Sequence, residues 1–175
     1  MPDKKDLTKS IVELREKIDR MEKQTHAGFV MRLISIIEYD LERSIKYKFR
    51  PLSNKMSKRL FDDGPISSFA AKIDLGYALD ITADATHQEL DKIRQIRNAF
   101  AHTRDALSFE TEPIKSLFEA LARPSGITGT RLEQFVQCVA VLDDYFEAFL
   151  ARMGESQDLR HSEPEKRQRL MSNAP

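Results

Sequence analysis

The sequence predicts an all-α protein, a single-domain helical bundle of about six helices. Apolar residues recur at three- and four-residue spacings through most of the 175 residues, and this spacing is typical of helices with one buried face. No segment shows the strict alternation that a half-buried strand requires. Hydrophobic residues make up 41% of the chain, which is enough for one core.

The first periodic segment has a heptad-like spacing. Its apolar residues follow steps of four and three on an otherwise charged helix, at Leu7, Ile11, Leu14, Ile18 and Met21. We therefore predict an N-terminal amphipathic helix over residues 1–25, which either lies on its own domain or serves as a dimerisation arm. The helical core domain is predicted over residues 26–153. The charged segment 154–175 lacks an apolar face and is predicted to be a disordered tail.

Breaking and capping residues divide the core domain. A helix is predicted from about His26 to Tyr47, ended by Arg50-Pro51 because the residue before proline is disfavoured in the helical region. One or two turns are predicted at 54–60. Either Ser67 or Ser68 is predicted to cap the next helix, in which Gly76 permits the close approach of a neighbour.

Three further helix starts are marked in the second half of the chain. Thr86 and Glu89 have the spacing of a capping box, as do Thr130 and Glu133. Pro113 suits the first position of a short helix. These signals predict helices from Thr86 to His102, after Pro113, and from Thr130 to about Leu150.

One helix carries polar residues inside its apolar pattern. Leu90, Ile93, Ile96 and Phe100 form an apolar stripe, and Arg97 falls within it. Arg94, Asn98 and His102 recur every four residues on the adjacent flank. An arginine in such a stripe must be paired or must face a cleft, so we predict a binding site at Arg94, Arg97, Asn98 and His102. Asp74 is a candidate partner for Arg97.

Simpler structural roles remain open for the same residues. Arg97 could tie two helices together through a carboxylate, and Asn98 could bond a neighbouring loop. His102 lies near a helix C-terminus, where an imidazole interacts favourably with the helix dipole.

Composition excludes several classes of function. Twenty-eight basic residues balance 28 acidic ones, so no global charge attracts nucleic acid or an anionic membrane. The single cysteine, Cys138, cannot form a disulfide within the chain. The histidines show no ligand spacing with Cys138 or with one another, and no glycine-rich phosphate loop is present, so we expect neither a metal nor a cofactor. Without a signal peptide or a membrane span, the sequence predicts a cytoplasmic protein that does not contact membranes.

Two segments together resemble a known family. Residues Phe61 to Leu79, beginning Phe-Asp-Asp-Gly-Pro-Ile-Ser-Ser, and Ile93 to His102 resemble the mannitol-operon repressor family of small all-helical bacterial proteins. The resemblance covers roughly Ile11 to Leu150 and implies a transcriptional regulator of sugar-alcohol uptake. Because the sequence shows neither a helix-turn-helix nor a basic stripe, we expect this regulator to act through a protein partner, with a homodimer as an option, and not by direct base readout.

A shorter resemblance supports an alternative. Arg97-Asn98-Ala-Phe-Ala-His102 is similar to the signature of the HEPN superfamily, whose active members are metal-independent ribonucleases that work as dimers. This resemblance implies RNA as substrate. His102 would act on the 2′-hydroxyl or the leaving oxygen, Arg97 would offset charge on the phosphorane, and Asn98 would orient one of them. We expect the regulator first and the enzyme second.

Overall fold

The computed structural model describes residues 4–102 and 107–161, and every regular element in these ranges is a helix. Side chains are described at Arg15 and Met21 and over residues 26–101 and 107–154. The six helices of the described ranges are α1 Lys4–Lys48, α2 Asn54–Phe61, α3 Phe69–Ala78, α4 Asp84–His102, α5 Ile114–Glu119 and α6 Arg131–His161. The all-α prediction is confirmed. None of the described helices is long and apolar enough to cross a membrane.

The first helix is longer than predicted. We expected a helix over residues 1–25 and a second from His26, but α1 is one helix of 45 residues. The segment between Met21 and Phe29 contains no proline, and Gly28 costs a helix interior only about 1 kcal/mol. Nothing in this segment therefore forces a break. The helix ends at Lys48, as Arg50-Pro51 predicts.

The chain divides into two compact units, each built from two separate stretches of sequence. The first unit comprises Met1–Ile36 and Gln88–Val139, and the second comprises Ile37–His87 and Ala140–Pro175. The long helices α1 and α6 each contribute residues to both units.

The core of the first unit is centred on Phe109. Its ring lies 5.6 Å from that of Phe100, 5.4 Å from Phe118 and 5.1 Å from Phe135, measured between ring centroids. All four rings are buried, together with the apolar stripe of α4, which consists of Leu90, Ile93 and Ile96. The predicted stripe therefore faces the core. Cys138 is buried as well, in keeping with a small apolar side chain.

The second unit packs α3 closely against the end of α1. A Cβ atom added to Gly76 would lie 2.7 Å from Cδ1 of Leu41, so the predicted close approach at this glycine is confirmed. The N–H groups of Asp80 and Ile81 donate to the carbonyls of Tyr77 and Gly76, which closes α3 in a Schellman motif. Asp80 takes the left-handed position of this motif, with φ of 53°.

Two of the predicted caps are confirmed. Ser68 accepts a hydrogen bond from the Ala71 N–H at the start of α3. At the start of α6, the Thr130 N–H donates to the Glu133 carboxylate at 2.7 Å, and the Glu133 N–H donates to Thr130 Oγ1 at 3.3 Å. These two bonds form the reciprocal capping box. The Thr130 N–H and the Thr130 hydroxyl both donate to the Glu133 carboxylate, and these hydrogen bonds lower the pKa of Glu133.

Two other helix starts differ from the prediction. The capping box at Thr86 and Glu89 is wrong, because α4 already begins at Asp84. Glu89 instead accepts hydrogen bonds from the Lys92 ammonium and the Ala122 N–H, which ties α4 to the residues after α5. Pro113 is the N-cap of α5 and not its first helical residue.

The last helix extends beyond the predicted start of the tail. α6 continues from Arg131 to His161, although the apolar periodicity ends near Gly154. A helix can continue for a few turns without an apolar face when no proline interrupts it. Residues 162–175, the rest of the predicted tail, lie outside the described residues.

Candidate functional site

The predicted site residues on α4 lie on one side of an unbroken helix. α4 runs from Asp84 to His102, and Arg94, Arg97 and Asn98 are all half-buried. The Nε atom of Arg97 is shielded from solvent. The guanidinium of Arg97 is therefore partly shielded and does not lie in bulk solvent. The side chain of His102 lies outside the described side chains, although its backbone belongs to α4.

Arg94 is held by its own helix. Its Nη2 lies 2.6 Å from Oδ1 of Asp91, and its Nε donates to the same oxygen at 2.8 Å. Gln95 donates to the other oxygen of Asp91 at 2.8 Å. This local network fixes the orientation of the Arg94 guanidinium. A ligand that recruited Arg94 would therefore have to compete with Asp91.

Asp74 lies in the second unit, on an exposed acidic surface. Its side chain is 80% exposed, and its Oδ1 lies 3.5 Å from Nε2 of His87. The predicted pair between Asp74 and Arg97 is not among the described contacts of Asp74 and stays a prediction. The contact with His87 instead assigns Asp74 to a cluster that the sequence did not indicate.

We call this cluster the acidic face. It consists of the four exposed residues Asp74, Tyr77, Asp80 and Asp84 together with the half-buried His87. The Tyr77 hydroxyl donates to Asp84 at 2.7 Å, and the Tyr77 and His87 rings lie 4.8 Å apart. The hydrogen bond to Asp84 raises the pKa of Tyr77. The exposed ring of Tyr77 is thus held by Asp84 and His87 on a surface that also carries Asp74 and Asp80.

Beneath the surface of the second unit, Lys72 is buried between two carboxylates. Its Nζ lies 2.9 Å from Glu38 and 2.8 Å from Glu42, and Lys46 forms a second ion pair with Glu42 at 2.5 Å. Burial alone would lower the pKa of Lys72, but its hydrogen bonds with the two carboxylates outweigh burial and raise it. Burial would likewise raise the pKa of Glu42, but the two ammonium groups lower it. The network stays charged, which suits a role in tying α3 to α1.

A second buried polar group is the carboxyl of Asp40. Only 4% of the residue is exposed, and Arg43 Nη1 lies 3.1 Å from its Oδ1. The same Nη1 lies 2.6 Å from Glu147. Burial, the largest cause, and the neighbouring Asp143 carboxyl raise the pKa of Asp40, whereas Arg43 lowers it; the net result is a pKa of about 6.

The raised pKa makes this carboxyl destabilising at neutral pH. Its folded-state pKa lies above the unfolded value, so its contribution to stability is fully present below about pH 4 and is lost as the pH rises through about 6. We expect Asp40→Asn to increase the free energy of unfolding by about 1–2 kcal/mol at pH 8, and the gain to vanish near pH 4. Urea denaturation at both pH values measures this.

The matched control is Asp144→Asn, which changes an exposed carboxyl on α6. We expect it to alter stability by less than about 0.5 kcal/mol at either pH. If Asp40→Asn lowered stability equally at pH 4 and pH 8, a raised pKa of Asp40 would be ruled out.

Sequence reasoning missed both buried charges, although a signal was present. Lys72 lies between the buried residues Phe69 and Gly76 at helical spacing, and Asp40 lies between Ile37 and Leu41 in the same way. A charged residue inside an apolar stripe is the signal that identified Arg97. The acidic face gave no comparable signal, because it combines residues from two helices and the turn between them.

The described residues contain no group of three histidine, cysteine or acidic side chains that could hold a metal ion. No family model matches the chain, and no match is found among curated proteins or solved structures.

Proposed function

We propose that the chain is a cytoplasmic transcriptional regulator of the mannitol-operon repressor kind, which acts through a protein partner and not by direct base readout. The observation that carries this proposal is the acidic face. Asp74, Asp80 and Asp84 are exposed on the same surface as Tyr77, and a surface with three carboxylates repels the phosphates of a nucleic acid. The same carboxylates attract a basic segment of another protein.

The centre of the acidic face has the features of a protein-binding anchor. Tyr77 is 44% exposed, and its hydroxyl is oriented by Asp84 and its ring by His87. A tyrosine held in one orientation loses little conformational entropy when a partner covers it, and tyrosine is enriched among residues that dominate binding energy. The partner chemistry that fits is an arginine- or lysine-containing segment that stacks on the ring.

The connection between α2 and α3 supports the same proposal. A helix-turn-helix joins its two helices by a turn of about 3 or 4 residues. Here residues 62–68 separate the two helices, and the connection begins with the exposed carboxylates of Asp62 and Asp63. An acidic connection of this length would not suit a helix pair seated in the major groove.

A mobility-shift titration tests the proposal. The purified full chain is titrated against fragments that tile the transport operons of its host, at physiological salt. We expect only weak binding that is independent of sequence. Tight, sequence-selective retardation by the chain alone would contradict the proposal, because salt at this concentration suppresses nonspecific phosphate contacts.

A ribonuclease of the HEPN kind is the second candidate. The observation that favours it is the half-buried Arg97 beside Asn98 on a helix that continues unbroken to His102. If this candidate is right, the chain cleaves RNA in the presence of a metal chelator, and His102→Ala lowers the rate by a factor of about 100 or more while the helical content is retained. Arg94→Ala is the control, because Arg94 is already bound to Asp91.

A further inference from the structure

The heptad positions at the start of α1 lie on the side of the helix opposite to the buried residues that follow them. At about 100° per residue, the heptad positions Leu7, Ile11, Leu14, Ile18 and Met21 fall within an arc of roughly 80°. Phe29 and Ile36 fall in the same arc, and they are 45% and 46% exposed. We call this side of α1 the arm face.

The core side of α1 lies opposite the arm face. Val30 and Ile34 are fully buried, and at about 100° per residue they lie roughly 140° from the centre of the arm face or further. On this core side, the positions before residue 25 are largely charged, and they include Glu16, Asp19 and Lys23. Because α1 is one continuous helix, the heptad positions of its first turns do not continue the stripe to which Val30 and Ile34 belong.

The described side chains of these first turns agree with this geometry. Arg15 is exposed, and Met21, the last residue of the heptad spacing, is 58% exposed. Heptad spacing on the side of the helix opposite the core is the pattern by which one helix pairs with another. Of the two interpretations that the sequence leaves open for this segment, the geometry favours the dimerisation arm.

We propose that the arm face pairs with the arm face of a second copy of the chain, as a parallel two-stranded coiled coil over residues 7–21. The spacing assigns Ile11 and Ile18 to a positions and Leu7, Leu14 and Met21 to d positions. Isoleucine at a with leucine at d favours two parallel strands over three or four. The composition of the seam thus favours a parallel dimer.

The charges beside the seam complement one another in this arrangement. Lys17 is at a g position and Glu22 is at the following e position. In a parallel dimer, Lys17 of each copy faces Glu22 of the other, so two attractive pairs form by symmetry. Ser10 faces Arg15 in the same register, which introduces no repulsion. An antiparallel dimer would lose the pairing between g and e positions.

This dimer does not depend on the proposed function, because it rests on α1 and not on the acidic face. The test is the mass of the full chain in solution, measured by sedimentation equilibrium. We expect twice the monomer mass of 20.2 kDa.

The double variant Ile11→Asp with Ile18→Asp is expected to raise the dimer dissociation constant roughly 100-fold or more, because it places charges in the seam. Circular dichroism checks that the helices remain.

The matched control adds two aspartates away from the arm face. Lys9 and Lys23 occupy f positions, so Lys9→Asp with Lys23→Asp leaves the seam intact. We expect this variant to remain a dimer. A milder test is Lys17→Glu, which should weaken the dimer several-fold, and adding Glu22→Lys should restore it.

Orientation is tested by a disulfide. Cys138 is first replaced by serine, and Leu14→Cys then places one thiol at the same d position of each copy. An added copper(II) oxidant takes two electrons from the two thiols, which lose their protons and form the disulfide bond. We expect rapid linkage of the dimer, and none for Lys9→Cys. A monomer at all concentrations, a dimer that tolerates both isoleucine changes, or a dimer that Leu14→Cys does not link would overturn the proposal.

Discussion

Replacing Lys72 by alanine will destabilise the protein by about 3–5 kcal/mol. The variant leaves Glu38 and Glu42 next to each other without the ammonium group that lies within 2.9 Å of both. Two carboxylates with limited access to water then repel each other, and the Lys46 ammonium beside Glu42 offsets only part of their charge. Urea denaturation at pH 7 measures the loss.

The pH dependence identifies the cause of this loss. Acidic pH removes the repulsion between the two carboxylates of the variant, so the difference from the unaltered protein should shrink as the pH falls. Lys46→Ala is the control, because Lys46 is more exposed and, of the two glutamates, pairs with Glu42 alone. We expect this variant to lower the free energy of unfolding by about 1 kcal/mol or less. A small, pH-independent effect of Lys72→Ala would show that the buried network does not stabilise the fold.

Phe109→Ala is expected to cost about 3–5 kcal/mol, the typical range for deleting a buried aromatic ring. Its ring contacts those of Phe100, Phe118 and Phe135, so its removal leaves a cavity bordered by three other buried rings. Rings that belong to α4, α5 and α6 cannot all move inward to fill it.

Thermal and urea denaturation measure this effect against Phe49→Ala in the second unit. Phe49 is only half-buried, and among the described side chains its ring contacts one other ring, that of Phe61, so we expect less than half the loss. Phe109→Leu, which retains most of the volume, should cost about 1–1.5 kcal/mol. If Phe109→Ala and Phe49→Ala were equally costly, Phe109 would not be the centre of its core.

The helices could be predicted wherever apolar periodicity coincided with a cap or a breaking residue. Ser68, Thr130 and Arg50-Pro51 mark real boundaries because each acts through local chemistry. The continuity of α1 could not be predicted from the sequence. Its heptad positions before residue 25 and its buried residues after residue 25 lie on opposite sides of the helix. Two separate helices would produce the same shift in the apolar pattern. Phe109 was missed because it lies outside any periodic segment, and only its tertiary contacts bury it.

The candidate site was predictable only in part. Arg97 was identified because one arginine interrupts an apolar stripe, and the same rule would have identified Lys72 and Asp40 if it had been applied to α3 and α1. The acidic face was not predictable in this way. Tyr77 and His87 are ten residues apart on different helices, and the turn at Asp80 brings their rings together.

The proposed function depends on the acidic face as a contact surface for protein, and crosslinking from its centre tests this most directly. A photoreactive phenylalanine analogue is introduced at Tyr77 in the native host, and the adducts are separated by mass. We expect one protein adduct of defined mass, which is lost when Asp74→Lys and Asp84→Lys are added and is retained with Asp144→Lys. Adducts to RNA or DNA, or a protein adduct that survives the reversal of both charges, would contradict the account.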